Sequence, residues 1–370
     1  MRHTCAMLLV ACATVCGCGS SGSNSSGGGG TKSTTPSYMA SAHHAYVCAG
    51  KVYAYTVSST GAWTANGSVS ADCQSMAIDP MHRFLYAVAG SSGSVNEIWM
   101  FTINTQTGAL TPTNPASVIV PGQFTQSIAV DGLGKYAYTA NTDTNDVTAL
   151  VINQTTGVLT PAHVPTIAAV DAPNGVTTDS SGKYVYVSNK LDGIISQYLI
   201  DSATGSLSAN NPATSDGGPG PFAGTINPAG TVYYSPGQEG NAVEVMSINA
   251  ANGTLLDAGR IATGNGPVSV ALTPNGKFAY VAIRTDSRVG VFSVSESDGT
   301  LTQIGSVVIA SGTATVIGSE SANYVAVDPG GQILYVGCGT QVSIFGINTD
   351  GTLTYVSAVP QGAVQVELTP

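Results

Sequence analysis

Charge is scarce in this chain. Only 9% of its 370 residues are Asp, Glu, Lys or Arg, and 11 cations stand against 21 acids. With a formal net charge of −10 and so few cations, neither a nucleic-acid partner nor an anionic-membrane surface is expected. Histidine is almost as rare: His3, His43, His44, His82 and His163 are the five. The body carries no Gly-x-Ser-x-Gly elbow, no His-Glu-x-x-His and no Cys-x-x-Cys, which removes the usual nucleophile and zinc signatures. Residues 141–146 are acidic and amide-rich but lack the Gly and distal Glu of an EF-type calcium loop, so neither a metal nor a cofactor is expected. Nor is there a run of 18 or more apolar residues of the kind that crosses a bilayer as a helix.

What the chain has in quantity is glycine, 45 residues of it, and short alternating stretches. Residues 266–301 show the unit most cleanly. Val268, Val270 and Leu272 alternate with small residues, a Pro-Asn-Gly turn follows, then Phe278-Ala279-Tyr280-Val281, a polar loop, and a third run closed by Asp298-Gly299. Period-two alternation bounded by Gly, Pro, Asn and Asp predicts short antiparallel strands. The unit recurs, and its last turn counts the copies. The turn glycines are Gly61, Gly108, Gly157, Gly205, Gly253, Gly299 and Gly351, spaced 46 to 52 residues apart and each followed one residue later but one by Leu or Trp. Asn-Gly and Asp-Gly supply the positive φ that hairpin turns demand.

The first strands align equally well. Met76-Ala77-Ile78-Asp79, Ile128-Ala129-Val130-Asp131 and Val176-Thr177-Thr178-Asp179 open the series. Gly224-Thr225-Ile226-Asn227, Val270-Ala271-Leu272-Thr273 and Val325-Ala326-Val327-Asp328 continue it, and Val366-Glu367-Leu368-Thr369 ends it. The last copy has no following strands, whereas Ala45-Tyr46-Val47 at the other end matches Leu334-Tyr335-Val336. One unit is therefore split between the two ends. Seven four-stranded units with a shared one predict an all-β, closed seven-bladed β-propeller over residues 41–370, with the C-terminal strand pairing in the N-terminal blade. Closure removes long free sheet edges, and a monomer is expected.

The first residues read as an export signal. A basic start at Arg2 and His3, a short apolar stretch and small residues make a secretory signal over residues 1–18. Val15-Cys16-Gly17-Cys18 resembles a bacterial lipobox, which implies lipidation at Cys18 and membrane attachment through that lipid only. Residues 19–40 are mostly Gly, Ser and Thr and form a flexible tether that cannot bury a core. Gly19 rather than Asp after Cys18 points the anchor towards an outer membrane where the organism has one.

The pattern Val-x-Val-Asp-Pro-x-Gly-Lys-Tyr-x-Tyr-Val-x-Asn, best seen at residues 128–141, 176–189 and 270–283, resembles the lactonase-type (6-phosphogluconolactonase-like) seven-bladed propellers and the related YVTN surface repeats. The resemblance implies that first strands line a central channel and that residues leading into them share one mouth with the loops between second and third strands. Those residues are Gln74, Gln126, Asn174, Phe222, Val268, Asn323 and Val364, and the loops bring Glu239, Arg284 and Asp286. Gln74, Gln126, Asn174, Asn323, Arg284 and Asp286 are the expected ligand-binding residues. The family's lactone-hydrolysing members carry Gly-Pro-Arg-His where this chain has Gly220-Pro221-Phe222-Ala223. Both chemical side chains are missing, and Glu239 is left as the candidate base, with Arg284 as the only nearby cation for an acidic substrate.

Cys48 ends a second strand and Cys73 opens the next first strand at the same mouth, so a Cys48–Cys73 disulfide is expected, which export permits; Cys48–Cys338 is the competing pair. The leading functional expectation is a lipid-anchored binding module of the bacterial cell envelope, whose partner is a polar small molecule, a glycan or an envelope protein. Lactone hydrolysis of the 6-phosphogluconolactonase type, as a carboxylic ester hydrolase, is one alternative. A purely structural surface repeat protein is the other.

Overall fold

In the computed structural model, residues 43–90, 95–309 and 321–370 are described; the signal, the lipobox and the tether fall outside them. The described residues form seven antiparallel sheets of four strands each and no helix. The closing blade is ordered Gln365–Thr369, His44–Cys48, Val52–Val57, Trp63–Val69. The other six, blades one to six, start at Ser75–Ile78, Thr125–Val130, Pro173–Thr178, Thr225–Ile226, Pro267–Leu272 and Tyr324–Val327. The chain is thus a seven-bladed β-propeller, closed by pairing Gln365–Thr369 against His44–Cys48 in the register His44 to Thr369 and Cys48 to Gln365.

Second strands such as Tyr136–Asn141 and Ile333–Gly337 are buried along their whole length, because a neighbouring blade covers each face. Their Tyr, Val and Ile content suits a pleated surface packed on both sides. The core follows: it consists of seven apolar clusters, each shared by two adjacent blades. In every blade the register between third and fourth strands shifts, twice in blade one and once in each of the others, as between Ser196 and Tyr198 or Glu244 and Met246. A bulge at the same place in each sheet adds the twist that fans the blades around one axis.

Two repeated devices fix the blades. The Asp at the end of a first strand accepts two backbone N–H bonds from the start of the second: Asp79 from Arg83 and Phe84, Asp131 from Lys135 and Tyr136, Asp328 from Gln332 and Ile333. The second device joins neighbours. A buried second-strand tyrosine donates its hydroxyl to the carbonyl of the turn glycine in the next blade. The pairs are Tyr46–Gly108 (3.0 Å), Tyr86–Gly157 (2.9 Å), Tyr138–Gly205 (3.0 Å), Tyr186–Gly253 (2.6 Å), Tyr234–Gly299 (2.7 Å) and Tyr280–Gly351 (3.0 Å). Burial raises the pKa of all six phenols, so each stays a donor. These turn glycines are needed twice over. Gly205 has φ +74, and a Cβ there would sit 2.3 Å from the Tyr136 ring.

The seventh tyrosine, Tyr335, finds no such carbonyl. Its hydroxyl is buried and meets no carbonyl, with only the Trp63 indole beside it, and a Cβ on Gly61, the glycine it would meet, has nothing within 4 Å. Trp63 fills the joint instead, its ring 5.3 Å from Tyr335 and 5.1 Å from Tyr55. The ring is therefore clasped at six joints and stacked at the seventh.

Candidate functional site at the channel mouth

The residue that leads into each first strand reaches the channel for a structural reason. In three blades the pairing of first and second strands skips one residue. Thr125 and Ser127 pair with consecutive partners and leave Gln126 out; Pro173 and Gly175 leave out Asn174; Pro267 and Ser269 leave out Val268. A bulge residue is released from the ladder and its side chain re-aimed. All seven residues of this column line a single cavity of about 560 Å³ at the channel mouth.

The wall is chemically divided. Gln74, Gln126, Asn174 and Asn323 present amides, while Phe222, Val268, Leu191 and Val364 are apolar. Gln74 Oε1, Asn174 Oδ1 and Arg284 Nε are buried without a protein partner, so this wall holds hydrogen-bonding capacity the fold does not use. Arg284 was the sole cation expected here; the structure corrects this by adding Lys190. The two occupy the same position after the second strand in blades three and five, and so flank blade four, which carries Phe222. Lys190 Nζ lies 5.1 Å and the Arg284 guanidinium carbon 5.5 Å from the centre of the Phe222 ring. Each contact attracts through the ring quadrupole, by about 0.5–2 kcal/mol. Burial lowers the pKa of Arg284, yet no shift of that kind neutralises a guanidinium in water.

Glu239 lies in the cavity wall and is exposed. Gly220 explains its place. That residue has φ +65, and a Cβ on it would come within 2.9 Å of Glu239 Cγ; Gln238 N donates to Gly220 O at 2.9 Å. The Gly220-Pro221 turn thus seats the Glu239 loop. Beyond Leu191 and Glu239 a neighbouring groove is lined by Asp192, Asp216, Glu244 and Asp257, with Arg260 3.7 Å from Glu244. Burial raises the Glu244 pKa, and Arg260 partly offsets that. An anion is repelled there and drawn to the Lys190–Arg284 side.

Asp286 does not line the cavity. Its carboxylate is turned back on Asn265, accepting from the backbone N at 2.8 Å and from Nδ2 at 2.9 Å, and these bonds lower its pKa. It braces the loop that carries Arg284. Asn141 and Asn189 are likewise structural: both are buried, Asn141 donating to Asp146 and Thr148, and Asn189 to Val187, Ile194 and Ser196. Cys48 and Cys73 are joined by a disulfide, Cα atoms 5.4 Å apart, which ties the closing blade to blade one beside the mouth. Cys338 is outside the bridge; its thiol donates to Val336 O. Among the described residues no cluster of His, Cys, Asp and Glu has the geometry to hold a metal ion.

One group escaped the sequence reading. Glu367, on the terminal strand, accepts from Gln365 Nε2 at 2.6 Å and from the Tyr324 hydroxyl at 3.4 Å. Both donors line the cavity. Burial pushes the Glu367 carboxyl up to about 7, against the two hydrogen bonds that favour its ionised form. The signal was present in the aligned first strands, where its column reads Ala77, Ala129, Thr177, Thr225, Ala271, Ala326 and Glu367. One carboxylate stands among six small residues.

A seven-bladed propeller with a divided polar cavity at one channel mouth defines the class. The family model described as lactonase, seven-bladed β-propeller, matches residues 64–166, 163–271 and 257–313, and the chain belongs to that family. Among solved structures, a presumed 6-phosphogluconolactonase of Bacteroides fragilis is similar at 21% identity and TM-score 0.78, over 91% of this chain and 99% of that one. The periplasmic gluconolactonase PpgL of Pseudomonas aeruginosa is similar at 17% identity and TM-score 0.75, over 89% and 99% respectively. At these identities the likeness extends to the fold. Comparison with curated proteins gave no match.

Proposed function

We propose that this lactonase-family propeller is a binding module for a small, anionic, hydroxyl-rich molecule, exported and held at the cell envelope by a lipid on Cys18. The observation that carries the reading is the convergence of Lys190 and Arg284 on the Phe222 ring inside a cavity ringed by amides. The cations attract a carboxylate or phosphate, the ring offers a flat face for the C–H side of a sugar, and the amides answer hydroxyls. The missing Arg-His pair argues for holding a ligand rather than turning it over. The envelope address rests on the signal and lipobox pattern of residues 1–18, and the existence of a periplasmic gluconolactonase of this fold agrees with it.

Hydrolysis of a lactone is the second reading, favoured by Glu239 sharing the cavity with two cations. Its carboxylate would take a proton from water as the oxygen attacks the ring carbonyl and give it to the ring oxygen as the acyl–oxygen bond breaks, with Arg284 or Lys190 holding the acidic group of the substrate. Calorimetric titration of the purified protein with gluconate and 6-phosphogluconate, together with a gluconolactone turnover assay, separates the readings. Binding that weakens about tenfold or more in Arg284→Ala or Lys190→Ala, without turnover, is the expected result. Turnover abolished by Glu239→Ala would make hydrolysis primary. Neither binding nor turnover would sink both.

A further inference from the structure

Glu367 sits where a ligand's charge would be felt. It lies on the strand that closes the ring, one hydrogen bond behind two residues of the cavity wall, Gln365 and Tyr324. Gln365 is itself fixed: its amide accepts from Met76 N at 2.9 Å and donates to Met76 O at 2.8 Å in blade one. In two other blades the same column holds a serine with the same duty, Ser127 accepting from Val176 N and Ser269 from Val325 N. The cluster therefore spans three blades, since Tyr324 comes from blade six. Four hydrogen bonds hold it in place: two from Gln365 and Tyr324 to Glu367, and two between Gln365 and Met76.

The surroundings offer Glu367 no counter-charge. On the strand His44–Cys48 its partner in register is Tyr46, a phenol engaged with Gly108 and kept protonated by burial. His44 on that strand pairs with Thr369 instead, and Cys48 is in the disulfide. Blade six presents Tyr324 and Tyr335, both raised by burial. Blade one presents Ser75–Ile78, which has no ionisable group. Among the described residues no cation is ion-paired with Glu367.

We propose that Glu367 links occupancy of the channel mouth to a proton, the anionic ligand being held with Glu367 protonated and released as Glu367 ionises. This rests on the anion-binding reading above. An ionised Glu367 places a negative charge without a paired cation beside the cavity that holds the ligand's anionic group, and the two repel. Protonation removes that repulsion and leaves the cluster's geometry in place. By linkage, ligand binding raises proton affinity at Glu367 by the same factor that protonation raises ligand affinity. The carboxyl's pKa near 7 puts the exchange in the range of an ordinary environment.

Gluconate is the probe, because its own carboxylate stays ionised across the range used. In wild-type protein its affinity should weaken roughly three- to tenfold from pH 6 to pH 8.5, and in Glu367→Gln it should be flat. Calorimetry of the wild type at pH 7 in two buffers of different ionisation heat gives an independent measure that needs no variant: binding should take up a fraction of a proton. Gluconate that binds with neither pH dependence nor proton uptake would overturn the linkage while leaving the anion site standing. A pH dependence unchanged in folded Glu367→Gln would also overturn it. Gluconate that does not bind at any pH would instead remove the reading beneath it.

Discussion

Replacing Tyr138 by Phe removes one hydroxyl from the centre of a blade joint and changes nothing else in the packing. The hydroxyl is fully buried and donates to Gly205 O at 3.0 Å. The variant leaves that carbonyl without its donor, a loss of about 1–2 kcal/mol. Unfolding entropy of roughly 2 cal/mol/K per residue, over a body of some 330 residues, turns each kcal/mol into about 1.5 °C. Tm should therefore fall by about 2–3 °C. The control lies within the same ring. Tyr335 occupies the equivalent position in blade six and is equally buried, but its hydroxyl bonds no carbonyl and has only the Trp63 indole beside it. Tyr335→Phe removes a hydroxyl that bonds no carbonyl, so its Tm should fall by less than half as much. Scanning calorimetry of both variants at one pH, with the disulfide intact, measures the difference. Equal losses in the two would refute the assignment of stability to the clasps, since only one of the two hydroxyls bonds a turn carbonyl.

Two further outcomes follow from geometry already described. Gly205→Ala puts a Cβ 2.3 Å from the Tyr136 ring at φ +74, and strain plus displacement should lower stability by about 2–4 kcal/mol, against about 1 kcal/mol at Gly61, which has φ +79 but open space; urea unfolding of the pair would show it. Glu367 bears on stability as well as binding. Its folded pKa is raised from 4.5 to about 7, so the native state holds the proton more tightly than the unfolded chain. Its contribution is therefore fully present below pH 4.5 and is lost as pH rises through about 7. The loss is about 2–3 kcal/mol once channel solvent is allowed for. Urea titrations of wild type and Glu367→Gln should diverge between pH 5 and pH 8, with the variant gaining at the alkaline end.

The ring was legible because its signals repeat. A glycine that only a positive φ explains, followed by a core Leu, marks one joint per blade, and a split unit can only mean closure. The mouth column was legible for the same reason, although not the bulges that aim Gln126 and Asn174 into the cavity, since a skipped partner leaves no mark in sequence. Lys190 and Arg284 stand 94 positions apart in sequence, and only the intervening blade brings both to the Phe222 ring. Asp286 was read as a ligand group because its loop converges on the channel mouth; the sequence does not show its two bonds to Asn265, which turn the carboxylate away from the cavity. Glu367 was passed over because its strand was read as architecture, which hides a change of residue class within a column.

The Tyr335–Trp63 joint gives the ring a direction of weakness. Six joints resist separation through a directional bond that fails within a few tenths of an ångström, and the seventh resists through ring contact, which yields gradually as faces slide. A circular body with one compliant joint behaves as a split washer. Breathing between blade six and the closing blade is then resisted by the apolar cluster they share, ten buried residues including Tyr335 and Val366, and not by a directional clasp. The disulfide at Cys48 and Cys73 lies on the far side of the closing blade, so it keeps that blade attached to blade one and leaves the split where the clasp is missing. Asn323, Tyr324, Val364 and Gln365, which line the cavity, come from the two blades that meet at this split, so its opening alters the width of the mouth.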